Sequence, residues 1–187
     1  MKAGGLKLRA ELELDRLALD PYCKLYLPLW KLDGDSFADH SAYGHLCTRY
    51  GIGTPPSAHW TPQGWVFDGV DDYVEAPHIH SDLLTVEAWV KRNGAQDDND
   101  NIVSQSSSSA GPPYYEFILG MATDQKVRFG ITTDTVYAGV ISTVAIPDLT
   151  CVHLAGVYDG GYLRLCVNSV QETPVVKTGL LMIMAIL

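Results

Sequence analysis

A chain of 187 residues that is 47% hydrophobic and 10% aromatic carries enough apolar side chain for one substantial core, so one domain, or one domain with an arm, is expected. The formal net charge is -9 and the 13 Lys and Arg residues are scattered, which excludes the clustered positive surface that nucleic-acid binding requires. No apolar run approaches the ~20 residues that cross a bilayer, so no membrane insertion is expected.

In chain order, residues 1–20, "MKAGGLKLRAELELDRLALD", set six leucines among charged neighbours at spacings that fit neither the strand nor the helix period. An N-terminal arm is expected there, ahead of a single domain over residues 21–187. A charge every few positions also breaks any secretory signal, so production without a cleaved signal peptide is expected. From residue 23 the chain is a series of strand-length runs bounded by Gly, Pro, Asn, Asp or Ser. They are "CKLYLPLW", "WVFDG", "DYVEAP", "LTVEAWVKR", "NIVSQ", "YYEFILG", "KVRFGITT", "VYAGVIST", "CVHLAGVYDG" and "YLRLCVNS". Val127, Phe129 and Ile131 alternate with Lys126, Arg128 and Gly130, the pattern of a sheet with one buried face. Val86, Ala88 and Val90 are likewise expected on one strand face, with Glu87 and Trp89 on the other. An all-β fold of two packed sheets follows.

The stretches 93–101 and 106–113 are rich in turn residues and read as exposed loops. Cys23, Cys47, Cys151 and Cys166 lack the CxxC spacing of zinc or redox motifs and read as free thiols. A two-residue turn at Asp159-Gly160 would place Cys166 opposite His153 and Cys151 opposite Asn168. That leaves the two cysteines ~7–8 Å apart on a diagonal, beyond disulfide reach. Leu180 to Leu187 is entirely apolar and must be covered, as a central strand of this chain or in a sheet shared with another subunit.

"WVFDGVDDYVEAP", residues 65–77, gathers carboxylates beside apolar residues, and three readings fit: a metal site, an acid/base pair, or the wet side of a hairpin. Asp68 suits a tight Asp-Gly turn. Asp71 and Asp72 point to opposite strand faces, and one of them can join loop carbonyls and Asp39 of "FADHSAYGH" in a calcium site, since hard cations collect six to eight oxygens. A retaining glycosidase needs two carboxyls ~5 Å apart, but no Glu-x-Asp-x-x-Glu run occurs, and neither Glu87 nor Glu116 has a second carboxylate two residues on. His78 and His80 in "PHIH" share one face and could chelate zinc or copper, yet no third ligand lies in that stretch. No nucleophile elbow is present. Rings that border loops are the candidate glycan platforms, namely Trp60, Tyr114 and Tyr115, whereas Trp65 and Trp89 sit inside strand patterns and read as core.

"FDGVDDYVEAP", "LTVEAWVK", "NIVSQ" and "HLAGVYDGGYLRLCVN" occur in that order, and together, over Leu25 to Glu172, they resemble the laminin-G-like members of the concanavalin A-like lectin/glucanase superfamily. The resemblance implies an antiparallel jelly-roll β-sandwich with hairpin turns at Asp68-Gly69 and Asp159-Gly160, and relatives that often bind calcium. It implies a non-catalytic binding or structural module, with a calcium-assisted lectin as the alternative and a glycoside hydrolase as a further one. The chain departs from the family pattern where a Trp near Cys151 and an Asn/Asp-Gly turn near Asn168 are usual. "LDPYCKLYLPLWKLDGDSFADHSAYGHLCT" is similar to the start of short proteins of tailed phages and environmental viruses, which implies a virion or phage-associated protein. The expected partners are therefore a glycan or a virion or host surface protein, with a homo-oligomer also open.

Overall fold

A computed structural model describes residues 20–30, 37–51, 59–94, 96, 100–106 and 114–181. The arm expected over residues 1–20 lies outside the described residues apart from Asp20, as do most of the loop at 106–113 and the tail beyond Leu181. The protein is all-β, with no α-helix among the described residues. It divides into two compact units, Met1–Ile79 and His80–Leu187.

The first unit contains two short ribbons. β1 (Thr48–Tyr50) pairs antiparallel with β4 (Tyr73–Glu75), and β2 (Trp60–Thr61) pairs with β3 (Gly64–Trp65). Its small core is Phe37 and Cys47, against which Leu25, Leu27, Leu29, Trp65, Val74 and Ala76 pack. Phe37 and Trp65 meet at 4.7 Å between ring centroids. "CKLYLPLW" joins no ladder, and Leu29 and Trp30 lie in a turn; Pro28 has no N–H and the Tyr26 N–H is taken by the Asp39 side chain.

The second unit is the sandwich. One sheet has the order β12 (Val170–Gln171), β11 (Tyr162–Val167), β10 (Cys151–Tyr158), β5 (Leu84–Lys91), with β13 (Val175–Val176) also on the β11 edge. The other runs β6 (Asn101–Ser106), β7 (Tyr115–Met121), β8 (Val127–Thr133), β9 (Val136–Ile141). Alternate residues of both sheets meet in one core: Leu119, Val127, Phe129, Ile131 and Val140 from one, Val86, Val152, Leu154, Leu163 and Leu165 from the other. Gly156 lies within that core, where an added Cβ would fall 2.3 Å from the Phe129 ring.

The turns correct the expected register. Asp68-Gly69 joins no hairpin, since β3 pairs with β2 and β4 with β1. At the β10–β11 hairpin, Ala155 and not His153 stands opposite Cys166. The reason is that Asp159 does not occupy the turn centre. Its Oδ1 accepts the N–H groups of Gly161 and Tyr162, and Gly160 takes the positive φ of the first central position. Cys151 and Cys166 are thus further apart along the sheet than expected, and all four cysteines are free thiols.

Three other turns use left-handed backbone at two successive residues without any glycine: Asp124-Gln125, Asp134-Thr135 and Asn168-Ser169. Thr135, at φ +69, is β-branched and the most strained by its chemistry. Thr135→Gly is expected to stabilise the second unit by about 0.5–1 kcal/mol, the relief of ~1–2 kcal/mol of left-handed strain exceeding the added chain entropy of glycine. Denaturant midpoints of the two proteins check this.

Of the apolar stretch Leu180 to Leu187, only Leu180 and Leu181 are among the described residues, and Leu181 is buried in the core and bridges Thr133. Leu180 is exposed, so burial on both faces does not hold at that position. Gly179, two residues earlier, has φ +112, a backbone conformation that favours glycine.

Candidate functional site

Asp39 is held in the first unit as a clasp. Its Oδ1 accepts the N–H groups of Tyr26 (2.9 Å) and Ser41 (2.8 Å), and its Oδ2 accepts Ser41 Oγ–H (2.8 Å) and the His45 N–H (2.8 Å). His45 Nδ1 lies 2.7 Å from the same oxygen. Burial by itself would raise the carboxyl's pKa, but the donors from Tyr26, His45 and Ser41 outweigh it and hold the group well below the usual carboxylate range.

Asp71 and Asp72 belong to a different arrangement. Asp68 Oδ1 accepts the N–H groups of Val70 (2.8 Å) and Asp71 (3.3 Å), and the Asp68 N–H is donated to Asp72 Oδ2 (2.9 Å). The Val70 N–H is the first cause of a lowered Asp68 pKa. Gly51 allows the end of β1 to approach, since a Cβ there would sit 2.3 Å from the Asp71 carbonyl oxygen. Asp68, Asp71 and Asp72 present oxygens within 4.8 Å of one another, so these three could hold a cation; Asp39 is not among them. Asp72 also lies 3.8 Å from His59 Nδ1.

The aromatic candidates separate. Trp60 is in the first unit, half-buried, opposite Trp65 in the β2–β3 ribbon, with its Nε1–H donated to the Trp30 carbonyl (3.1 Å). Tyr114 and Tyr115 are in the second. Tyr114 is exposed, whereas Tyr115 is half-buried, accepts the Asn101 Nδ2–H (3.3 Å), and receives the Thr132 hydroxyl on its carbonyl. His78 and His80 are exposed in a stretch without strand.

The expectation that Trp89 is core is corrected. Its side chain stands on the outer face of β5 and is 71% exposed. Directly across on β10 is His153, with ring centroids 5.0 Å apart at 45°. His153 Nε2 is 3.6 Å from Glu87 Oε2, two positions back on the Trp89 face, and its backbone N–H is donated to Asn168 Oδ1 (2.9 Å). Further along, Arg164 lies over the Tyr162 ring at 5.2 Å and bonds the Asp159 carboxylate. Arg164, with the N–H groups of Gly161 and Tyr162, brings Asp159 down to about 2. The outer face therefore carries an indole, an imidazole, a phenol and charges of both signs on three hydrogen-bonded strands. The signal was in the strand itself: Thr85, Glu87 and Lys91, all polar, share the parity of Trp89.

Glu87 and Glu116 lie on β5 and β7, in different sheets, one exposed and the other buried. They do not form the facing pair that glycosidic cleavage uses.

A laminin G-type family model, described as the concanavalin A-like lectin/glucanases superfamily, matches residues 68–180, more than half of the chain. No curated protein matches it. With the two-sheet antiparallel sandwich built from those same residues, the chain belongs to the concanavalin A-like lectin/glucanases superfamily.

Proposed function

We propose that the chain is a non-catalytic, laminin-G-like binding module of a phage particle, which contacts a glycan or a virion or host surface protein through the outer face of β5, β10 and β11. The observation that carries this reading is Trp89, 71% exposed in the interior of a strand. A large apolar side chain left in water forgoes about 1.5–3 kcal/mol of burial. An indole flanked by hydrogen-bonding groups is the arrangement that stacks on the C–H face of a pyranose while fixing its hydroxyls. The phage setting rests on the likeness of residues 19–48 to phage-encoded proteins, and peptide mass spectrometry of purified particles tests it.

A calcium-assisted lectin is the second reading, favoured by the grouping of Asp68, Asp71 and Asp72. A glycan array run with and without chelator distinguishes the two. Trp89→Ala is expected to reduce binding about tenfold or more, the loss of ~1.4 kcal/mol of ring contact. It should change stability by less than about 0.5 kcal/mol, as the ring is mostly in water. Equal binding by wild type and Trp89→Ala would remove this face from consideration; binding lost only in chelator would favour the calcium reading, and release of sugar from a β-glucan would revive hydrolysis.

A further inference from the structure

Alternate residues of the β1–β4 ribbon face opposite ways. Val74 packs on the small core of the first unit and Arg49, across from it, is half-buried, whereas Thr48, Tyr50, Tyr73 and Glu75 share the exposed face. On that face Tyr50 and Tyr73 stand directly opposite each other and stack, with 4.6 Å between ring centroids and 12° between planes. They are 41% and 51% exposed, so the stacked pair still offers ring surface to water. The Tyr50 hydroxyl is donated to the Glu75 carboxylate, which holds that charge beside the rings. On the other side of the pair, Gly51 packs on the Asp71 backbone and brings the turn from Asp68 to Asp72 up to Tyr50 and Tyr73. No Lys or Arg occurs over residues 50–79, a stretch that contains Asp68, Asp71, Asp72 and Glu75. The carboxylates around the rings accept hydrogen bonds and donate none.

We propose that the Tyr50–Tyr73 face is a contact surface of the first unit for an arginine-bearing segment of a partner protein, in which a guanidinium lies flat on an exposed tyrosine ring and its N–H fork bonds Glu75. Charge complementarity selects this occupant, since a neutral or acidic segment would leave Glu75 and the three aspartates without a counter-charge. Geometry selects arginine over lysine. A guanidinium is planar and weakly hydrated, so it combines stacking on a ring with a two-pronged bond to a carboxylate. The compact, strongly hydrated ammonium of lysine gains less from either.

Fluorescence anisotropy tests this, with the full chain titrated into a labelled Ser-Arg repeat peptide and into its Ser-Lys and Ser-Glu counterparts at about 20 mM salt, where exposed charges are weakly screened. The arginine peptide is expected to bind with a dissociation constant of about 10–100 µM, the lysine peptide about threefold or more weakly, and the glutamate peptide not at all. Tyr73→Leu, which keeps apolar bulk without a π face, and the isosteric Glu75→Gln should each weaken the arginine peptide about two- to fivefold. If Tyr73→Leu fails to fold, Glu75→Gln carries the test. Trp89→Ala should bind the arginine peptide as the wild type does, so the outcome is independent of the face on β5, β10 and β11. Absence of saturable binding overturns the proposal. So do equal affinities for the arginine and lysine peptides, and so does undiminished affinity in either folded variant, which would mark attraction by net charge alone.

Discussion

Gly156→Ala is expected to destabilise the second unit by about 3 kcal/mol, at the upper end of the cost of overpacking a core. The new methyl group would lie 2.3 Å from the ring of Phe129, which is fully buried and packed between the two sheets. Two effects compete. Alanine narrows the unfolded ensemble and by itself would add about 0.4–1 kcal/mol of stability. The overlap is larger, because a ring inside a close-packed core has no rotamer to retreat into. Phe129→Ala alone should cost about 3–5 kcal/mol through the cavity it leaves. In the double variant the methyl has space, so Gly156→Ala should cost little on the Phe129→Ala background. Denaturant unfolding of the four proteins measures that coupling; additive costs would mean that the two residues do not meet.

Asp39→Ala should cost the first unit about 3–5 kcal/mol, the range for removing one partner of a buried charged network. Its carboxylate is the shared acceptor for three backbone N–H groups, a hydroxyl and an imidazole, and alanine leaves them facing nothing. The cost should be equal in chelator and in millimolar calcium, which separates a clasp from a cation ligand. Because the folded-state pKa of Asp39 is lowered, its contribution is fully present above the ordinary carboxylate value of 3.8. It is lost as pH falls below 3.8 toward the lower folded value. Exchange protection of the Tyr26, Ser41 and His45 amides should therefore fall in acid, and in Asp39→Ala it should be low at every pH. Undiminished protection in the variant would contradict this account.

The sandwich was legible wherever one face of a strand is apolar and the other is not. Val127, Phe129 and Ile131 announce β8 and its buried side, and Val86, Ala88 and Val90 do the same for β5. Trp89 was misread because an aromatic residue in a strand is usually core, although its parity with Glu87 already placed it on the wet side. The register of the β10–β11 hairpin slipped because "DGG" contains two adjacent candidate turns, and only the Asp159 side-chain bonds to Gly161 and Tyr162 choose between them. The left-handed pairs at Asp124-Gln125, Asp134-Thr135 and Asn168-Ser169 carry no glycine and so leave little trace in the sequence. Asp39 and Asp72 look alike as letters. What separates them is the set of N–H groups each accepts, and that depends on residues brought together only by folding.

The central claim is that Trp89 lies on a contact face that binds without cleaving. The most direct test is to follow the indole N–H resonances of Trp30, Trp60, Trp65 and Trp89, assigned with a Trp89→Phe variant, while titrating a glycan retained on the array and assaying the same sample for released sugar. The account predicts that the Trp89 resonance shifts with saturation while the Trp60 resonance stays in place and no sugar is released. A shift confined to Trp60, or any turnover that accompanies binding, would contradict it.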